Sequence, residues 1–155
     1  MPAVLVILGS KSDLEVGQKA AATLKRFGVD SKISVASAHR TPDRVKQMVE
    51  SSDADVFIAI AGLSAALPGA IASFTIRPVI GVPVSGKVNL DSILSIVQMP
   101  PGIPVAAVGI DRGENAALLA LEILAIKDPR LTAELRRYRQ EMADQVEKDS
   151  REVEG

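Results

Sequence analysis

The stretch Ala3-Val-Leu-Val-Ile-Leu8-Gly-Ser-Lys-Ser-Asp13 decides the fold. Six apolar residues run without a polar interruption, as a strand buried on both faces requires, and a glycine with hydroxyl-bearing residues then turns the chain toward a helix. Similar apolar runs return at Ile33–Ala36, Val56–Ala61, Val79–Val82 and Val105–Val108, with helical patterns between them. Five such runs alternating with helices imply an α/β chain: a three-layer, open, parallel five-stranded sheet covered by helices.

Local signals bound the helices. The box Ser12-Asp-Leu-Glu15 is expected to open a helix over Asp13–Phe27, which Gly28 stops. Thr41 stands as the N-cap of a second helix, with Pro42 in its first position. Ala65–Phe74, Leu90–Met99 and Asn115–Ile126 supply three more. Beyond Asp128-Pro129 a charged helix runs to about Val153, and Leu131, Leu135, Tyr138, Met142 and Val146 fall on one narrow stripe. That stripe needs a cover, either its own sheet or a neighbouring subunit. No internal repeat or low-complexity tract interrupts the pattern.

Composition narrows the function classes. The 155 residues suffice for one self-sufficient core. With no cysteine and one histidine, disulfides, thiolate metal sites and histidine-cluster metal sites are excluded. No acidic cluster has a magnesium-ligand spacing either, so neither metal nor cofactor is expected. A net charge of −1 and 3% aromatic residues provide neither the basic field nor the stacking platforms that nucleic acid requires. Residues 3–8 are too short an apolar run for a signal peptide or membrane span. The expected setting is therefore the cytoplasm, with a small-molecule partner.

In open parallel sheets, ligands bind outside the carboxyl ends of the strands. The loops there are Gly9–Asp13, Ser37–Thr41, Gly62–Ser64, Pro83–Asn89 and Gly109–Gly113. His39 is the candidate for acid-base chemistry, since imidazole alone has an unperturbed pKa near neutrality. Beside it, Arg40 offers a fork of donors and Ser37 a hydroxyl, a set suited to a phosphate or carboxylate. A phosphorylated sugar fits these loops.

Three motif-like stretches lead elsewhere and fall short. Gly81-Val-Pro-Val-Ser-Gly86-Lys87-Val88 approaches a P-loop, but Val88 replaces the magnesium-binding hydroxyl and Pro83 removes a backbone donor. Gly62-Leu-Ser64-Ala-Ala66 approaches a nucleophile elbow without its second glycine. A phosphorylated receiver would want an acidic residue at the end of the third strand, where Ala61-Gly62 stands.

Read together, Gly9-Ser-Lys-Ser-Asp13, Ser37-Ala-His-Arg-Thr-Pro42, Ala61-Gly-Leu-Ser-Ala-Ala-Leu-Pro-Gly69, Pro78-Val-Ile-Gly-Val-Pro83 and Leu90-Asp-Ser-Ile-Leu-Ser-Ile-Val-Gln-Met-Pro100 resemble the PurE family of purine biosynthesis. The resemblance spans residues 3 to about 126. It implies a flavodoxin-like catalytic domain over 1–127 and an oligomer-forming helix over 128–155, assembled as a homo-octamer. It also implies that the substrate is a carboxylated or free aminoimidazole ribonucleotide, which gains a carboxylate on C4. By the same resemblance, Ser10 and Asp13 hold the ribose and phosphate end, Ser37 and Arg40 bind the phosphate, and His39 transfers the proton. Gly9, Ser64, Ala65 and Leu67 would line the carboxylate and imidazole end. Arg40 follows the pattern of the family's mutases, whereas Ala66 stands where those mutases usually carry a second histidine. N5-carboxyaminoimidazole ribonucleotide mutase is thus the expected activity, with direct carboxylation by carbon dioxide as the alternative. A serine hydrolase built on Ser64 and a non-catalytic sugar-phosphate sensor are the readings of other classes.

Overall fold

Val4–Leu8 (β1) runs through the middle of a sheet with all five residues buried, as its unbroken apolar run requires. In this computed structural model, which describes residues 3–155, β1 pairs in parallel with Ser31–Val35 (β2) and with Val56–Ala61 (β3). Val79–Pro83 (β4) pairs with β3, and Ala106–Ala107 (β5) with β4. The order β2-β1-β3-β4-β5 is that of flavodoxin-like sheets, and its direction of growth reverses between β1 and β3.

Strand alternation sorts the core into two faces. Leu5, Ile7, Phe57 and Ala59 pack with Val45 and Val49 of Pro42–Glu50 (α2), Ile71 of Leu67–Ala72 (α3) and Ile96 of Asn89–Val97 (α4). Leu8 faces the other way, toward Leu14–Arg26 (α1), where a Cβ on Gly17 would stand 2.7 Å from Leu8 Cδ2. Gly113–Ala125 (α5) begins against α1. The sheet is therefore covered on both faces, as the apolar runs imply.

Several local expectations are corrected. The cap lies at Ser10 instead of Ser12: Lys11–Asp13 forms a 3₁₀ turn first, and α1 starts after it. Gly28 ends α1 in the left-handed region, at φ 68°. Thr41 does occupy the N-cap of α2, but its hydroxyl turns back to Ser37 and makes no cap hydrogen bond. β5 is reduced to two exposed alanines at the sheet edge. The third helix, α3, is shorter than the expected Ala65–Phe74.

A first compact unit ends at Ala120, and Leu121–Gly155 forms a second, which holds the last turns of α5 and Pro129–Glu154 (α6). Within the second unit, Asp128 caps α6 by accepting from the Arg130 N–H at 2.9 Å. Arg139 pairs with Glu122 at 2.8 Å. Leu131 is buried, whereas Met142 and Val146 of the same stripe are 46% and 65% exposed.

The tightest backbone approach in the first unit is at Gly113, where a Cβ would stand 2.1 Å from the Val16 carbonyl oxygen. Alanine normally improves a helix by about 1 kcal/mol over glycine. Here Gly113→Ala is expected to lower stability by about 1–3 kcal/mol, because one of two helix backbones must move. Denaturant titration of the two proteins measures this, and a raised midpoint in the variant would contradict it.

Candidate active site

Three loops leave the carboxyl ends of β1, β2 and β3 around the switch point, where a ligand is expected in this topology. The ladder continues just past the strands to aim them: the Gly9 N–H donates to the Ile60 carbonyl and the Ala36 N–H to the Leu8 carbonyl, both at 2.9 Å. Between the loops lies a cavity of about 480 Å³. Gly9, Ser10, Asp13, Ser37, His39, Arg40, Ser64 and Leu67 all line it, so most of the residues expected from the sequence converge. Ala65 is fully buried behind the wall and does not line the cavity.

The first loop is locked by a reciprocal pair. Asp13 Oδ2 accepts from the Ser10 N–H at 3.2 Å, while Ser10 Oγ accepts from the Ser12 N–H at 3.4 Å and the Ser12 hydroxyl at 3.1 Å. Ser10 therefore keeps its own hydroxyl hydrogen for an acceptor in the cavity. Asp13 is only 6% exposed. Burial pushes its carboxyl above the ordinary value of 3.8; the Ser10 N–H opposes that shift, and the negative charge of Asp111 adds to it.

Ser37 organises the second loop. Its N–H donates to Thr41 Oγ1 at 2.9 Å, and its hydroxyl oxygen accepts from Arg40 N–H at 3.1 Å and Arg40 Nε at 3.4 Å. Arg40 Nη2 reaches across to the Gly9 carbonyl at 3.3 Å, tying the second loop to the first. The guanidinium is thus oriented before any ligand arrives, with donors left over for an anion. His39 sits exposed at the turn between Ser37 and Arg40.

The lining also includes Ser12, Ala38, Ala61, Gly62 and Leu63, which were not expected as site residues. All but Ala61 lie in loops that strand direction alone identifies. The loops after β4 and β5 do not line the cavity. The P-loop-like stretch is also closed to a phosphate, because the Ser85 N–H is bonded to Asp111 Oδ1 and the Gly86 N–H to Asn89 Oδ1, both at 2.8 Å. A larger hollow of about 540 Å³ between Val49 and Ile103 has no histidine, and its Arg77 is engaged by the Ser52 and Ala54 carbonyls at 2.6 and 2.7 Å. Among the described residues no three His, Asp or Glu side chains gather as a metal site, and no helix is long and apolar enough to cross a membrane.

Comparison with known proteins adds an independent line. Residues 3–145 match the AIR carboxylase family. The chain is 60% identical to the N5-carboxyaminoimidazole ribonucleotide mutase of Methanocaldococcus jannaschii over 92% of each sequence. It is 47% identical to the protein of the same name from Thermotoga maritima, over 94% of this chain and 88% of that one. Among solved structures, Treponema denticola PurE superposes with a TM-score of 0.89 at 33% identity, covering 98% of both chains.

The raised Asp13 carboxyl has a consequence for stability. As pH rises from the ordinary carboxyl value to the raised one, the folded chain holds a proton that the unfolded chain has released, so stability falls through that window and the deficit persists above it. Asp13→Asn keeps an acceptor for the Ser10 N–H and removes the charge. The variant is expected to be more stable than the parent at pH 7, with the gain vanishing below about pH 4, where both parent states are protonated. Urea titrations across that range test the cause; a gain independent of pH would rule it out.

Proposed function

Because the chain belongs to the AIR carboxylase family, we propose that it is an N5-carboxyaminoimidazole ribonucleotide mutase of purine biosynthesis, with His39 as its proton-transfer group. The observation that carries the residue roles is the convergence of His39, Arg40 and Asp13 on one cavity. Arg40, held by Ser37 and Gly9, presents its remaining N–H groups to the 5′-phosphate, with the Ser10 and Ser37 hydroxyls beside it. Asp13 accepts from the ribose hydroxyls.

The chemistry asks for positioning, exclusion of water and one proton carrier. When the N5–carboxylate bond breaks, carbon dioxide leaves and N5 must gain a proton. When C4 of the electron-rich imidazole attacks that carbon dioxide, a C–C bond forms and C4 must lose a proton to restore aromaticity. The isomerisation is proton-neutral, so a single imidazole that donates to N5 and accepts from C4 balances it. The walls at Gly62–Ser64 and Leu67 keep the carbon dioxide beside C4. No metal or cofactor enters these steps.

Ala66 favours a second reading, direct carboxylation, because it leaves His39 as the chain's one imidazole. The mutase reading is supported by Arg40 and by the names of the relatives. Catalytic efficiency with the N5-carboxylated ribonucleotide, against that with aminoimidazole ribonucleotide plus dissolved carbon dioxide, decides between them. A faster second route at low bicarbonate assigns the carboxylase. The Ser64 hydrolase reading draws no support from the geometry, since no hydrogen bond among the described residues joins Ser64 to His39. The protein works in the cytoplasm as a homo-octamer, with the exposed Met142–Val146 part of the stripe buried between subunits.

His39→Asn is expected to bind the ribonucleotide and lose at least about 10²-fold in turnover, the usual contribution of a general acid-base group. Retained turnover would remove His39 from the mechanism. Arg40→Ala is expected to weaken binding of the nucleotide far more than that of its dephosphorylated nucleoside. Calorimetry with both ligands checks this, and equal losses would place the guanidinium away from the phosphate.

A further inference from the structure

Asp111 is the one non-glycine residue with a positive φ among the described residues, at 60°. It stands in the turn closed by the Arg112 N–H to the Gly109 carbonyl, where glycine would hold the backbone more easily. A side chain kept at such a position calls for a task, and this one has a visible partner. Asp111 Oδ1 accepts from the Ser85 N–H at 2.8 Å, and the Asp111 N–H donates to the Pro83 carbonyl at 2.9 Å. Two bonds therefore tie the β5–α5 turn to the last residue of β4 and to the loop that leaves it.

That loop backs the cavity wall. The Val84 N–H donates to the Ala61 carbonyl at 3.1 Å, and Val84 Cβ is 3.9 Å from where a Gly62 side chain would begin. Ala61 and Gly62 line the site. The contacts thus run from Asp111 through Ser85 and Val84 to the wall against which the imidazole end of the substrate would rest. Gly113, two residues further on, abuts the Val16 carbonyl at the start of α1, and the Asp111 charge helps to raise the Asp13 carboxyl, so the turn lies within electrostatic reach of the site.

We propose that Asp111 is a positioning residue for the reaction, holding the β4–α4 loop, residues 84–88, against the Ala61–Gly62 wall through its bond to the Ser85 amide. The role rests on the mutase reading above. It lies outside the set of groups that touch the substrate, and it explains why a carboxylate occupies a glycine-like backbone position.

Two variants separate the hydrogen bond from the backbone. Asp111→Gly relieves the left-handed conformation and deletes the acceptor, so its melting temperature should not fall, yet KM for the ribonucleotide should rise about 5-fold, the worth of one hydrogen bond. Asp111→Asn keeps an acceptor and tolerates the same backbone, so it should restore KM to within about 2-fold of the parent. Hydrogen exchange at the Ser85 amide should be faster in the glycine variant alone. Kinetics of Asp111→Gly that match the parent overturn the proposal, as does an Asn variant as impaired as the Gly variant. A fall in kcat at constant KM that follows a loss of folded protein also overturns it. A parent chain that turns over no ribonucleotide refutes the mutase reading instead; unchanged Ser85 exchange in Asp111→Gly then refutes the hold on the loop by itself.

Discussion

The site depends on the parallel pairing of one fully buried strand. β1 has no exposed residue, so each of its backbone groups must be bonded within the sheet, and β2 and β3 satisfy them from either side. Because all three strands run the same way, their outgoing loops gather at one end of the sheet. The last bonds of the ladder, from Gly9 to Ile60 and from Ala36 to Leu8, set where each loop begins. A pocket of polar side chains thus rests on two wholly apolar, buried strands, β1 and β3, flanked by the more polar edge strand β2.

The polar groups themselves are economical. Ser10 and Ser37 serve first as acceptors that fold their own loops, and their hydroxyl hydrogens are what a ligand would meet. Arg40 is braced by a hydroxyl and a carbonyl, neither of which neutralises it, so its full charge is available to an anion. Asp13 lies under the site, at a cost in stability that its position in the cavity accounts for. Pre-oriented groups of this kind reduce the entropy lost when a flexible sugar phosphate binds.

What the sequence reveals, and what it hides, follows from the range of each signal. The apolar runs mark β1 and β3 to within a residue, and strand direction then points to the three loops that form the cavity. The cap at Ser10 is hidden because a nonlocal bond, Gly9 to Ile60, decides where the chain first turns, while the Ser12-to-Glu15 spacing carries only local information. β5 falls short of its four-residue run because two alanines at the edge have little to bury. Ala65 is buried in a motif that mixes buried and exposed residues without a period, and nothing in its small side chain says which way it points. Asp111 was hidden for a similar reason: its loop was identifiable, but its bond to Ser85 spans 26 residues.

The contact between Gly113 and the Val16 carbonyl bears on how this chain can vary in length. It fixes the early part of α1 on one side, while the Gly9 bond to β3 fixes the end of β1 on the other. The segment between them is held at both ends and closed within itself by the Ser10 and Asp13 bonds. Surface loops commonly absorb insertions and deletions at little cost, but an added residue here would have to displace a strand end, a helix or the cavity floor. Among the loops at this end of the sheet, the one after β1 is set in length as firmly as any helix, and variation in size must be taken up elsewhere.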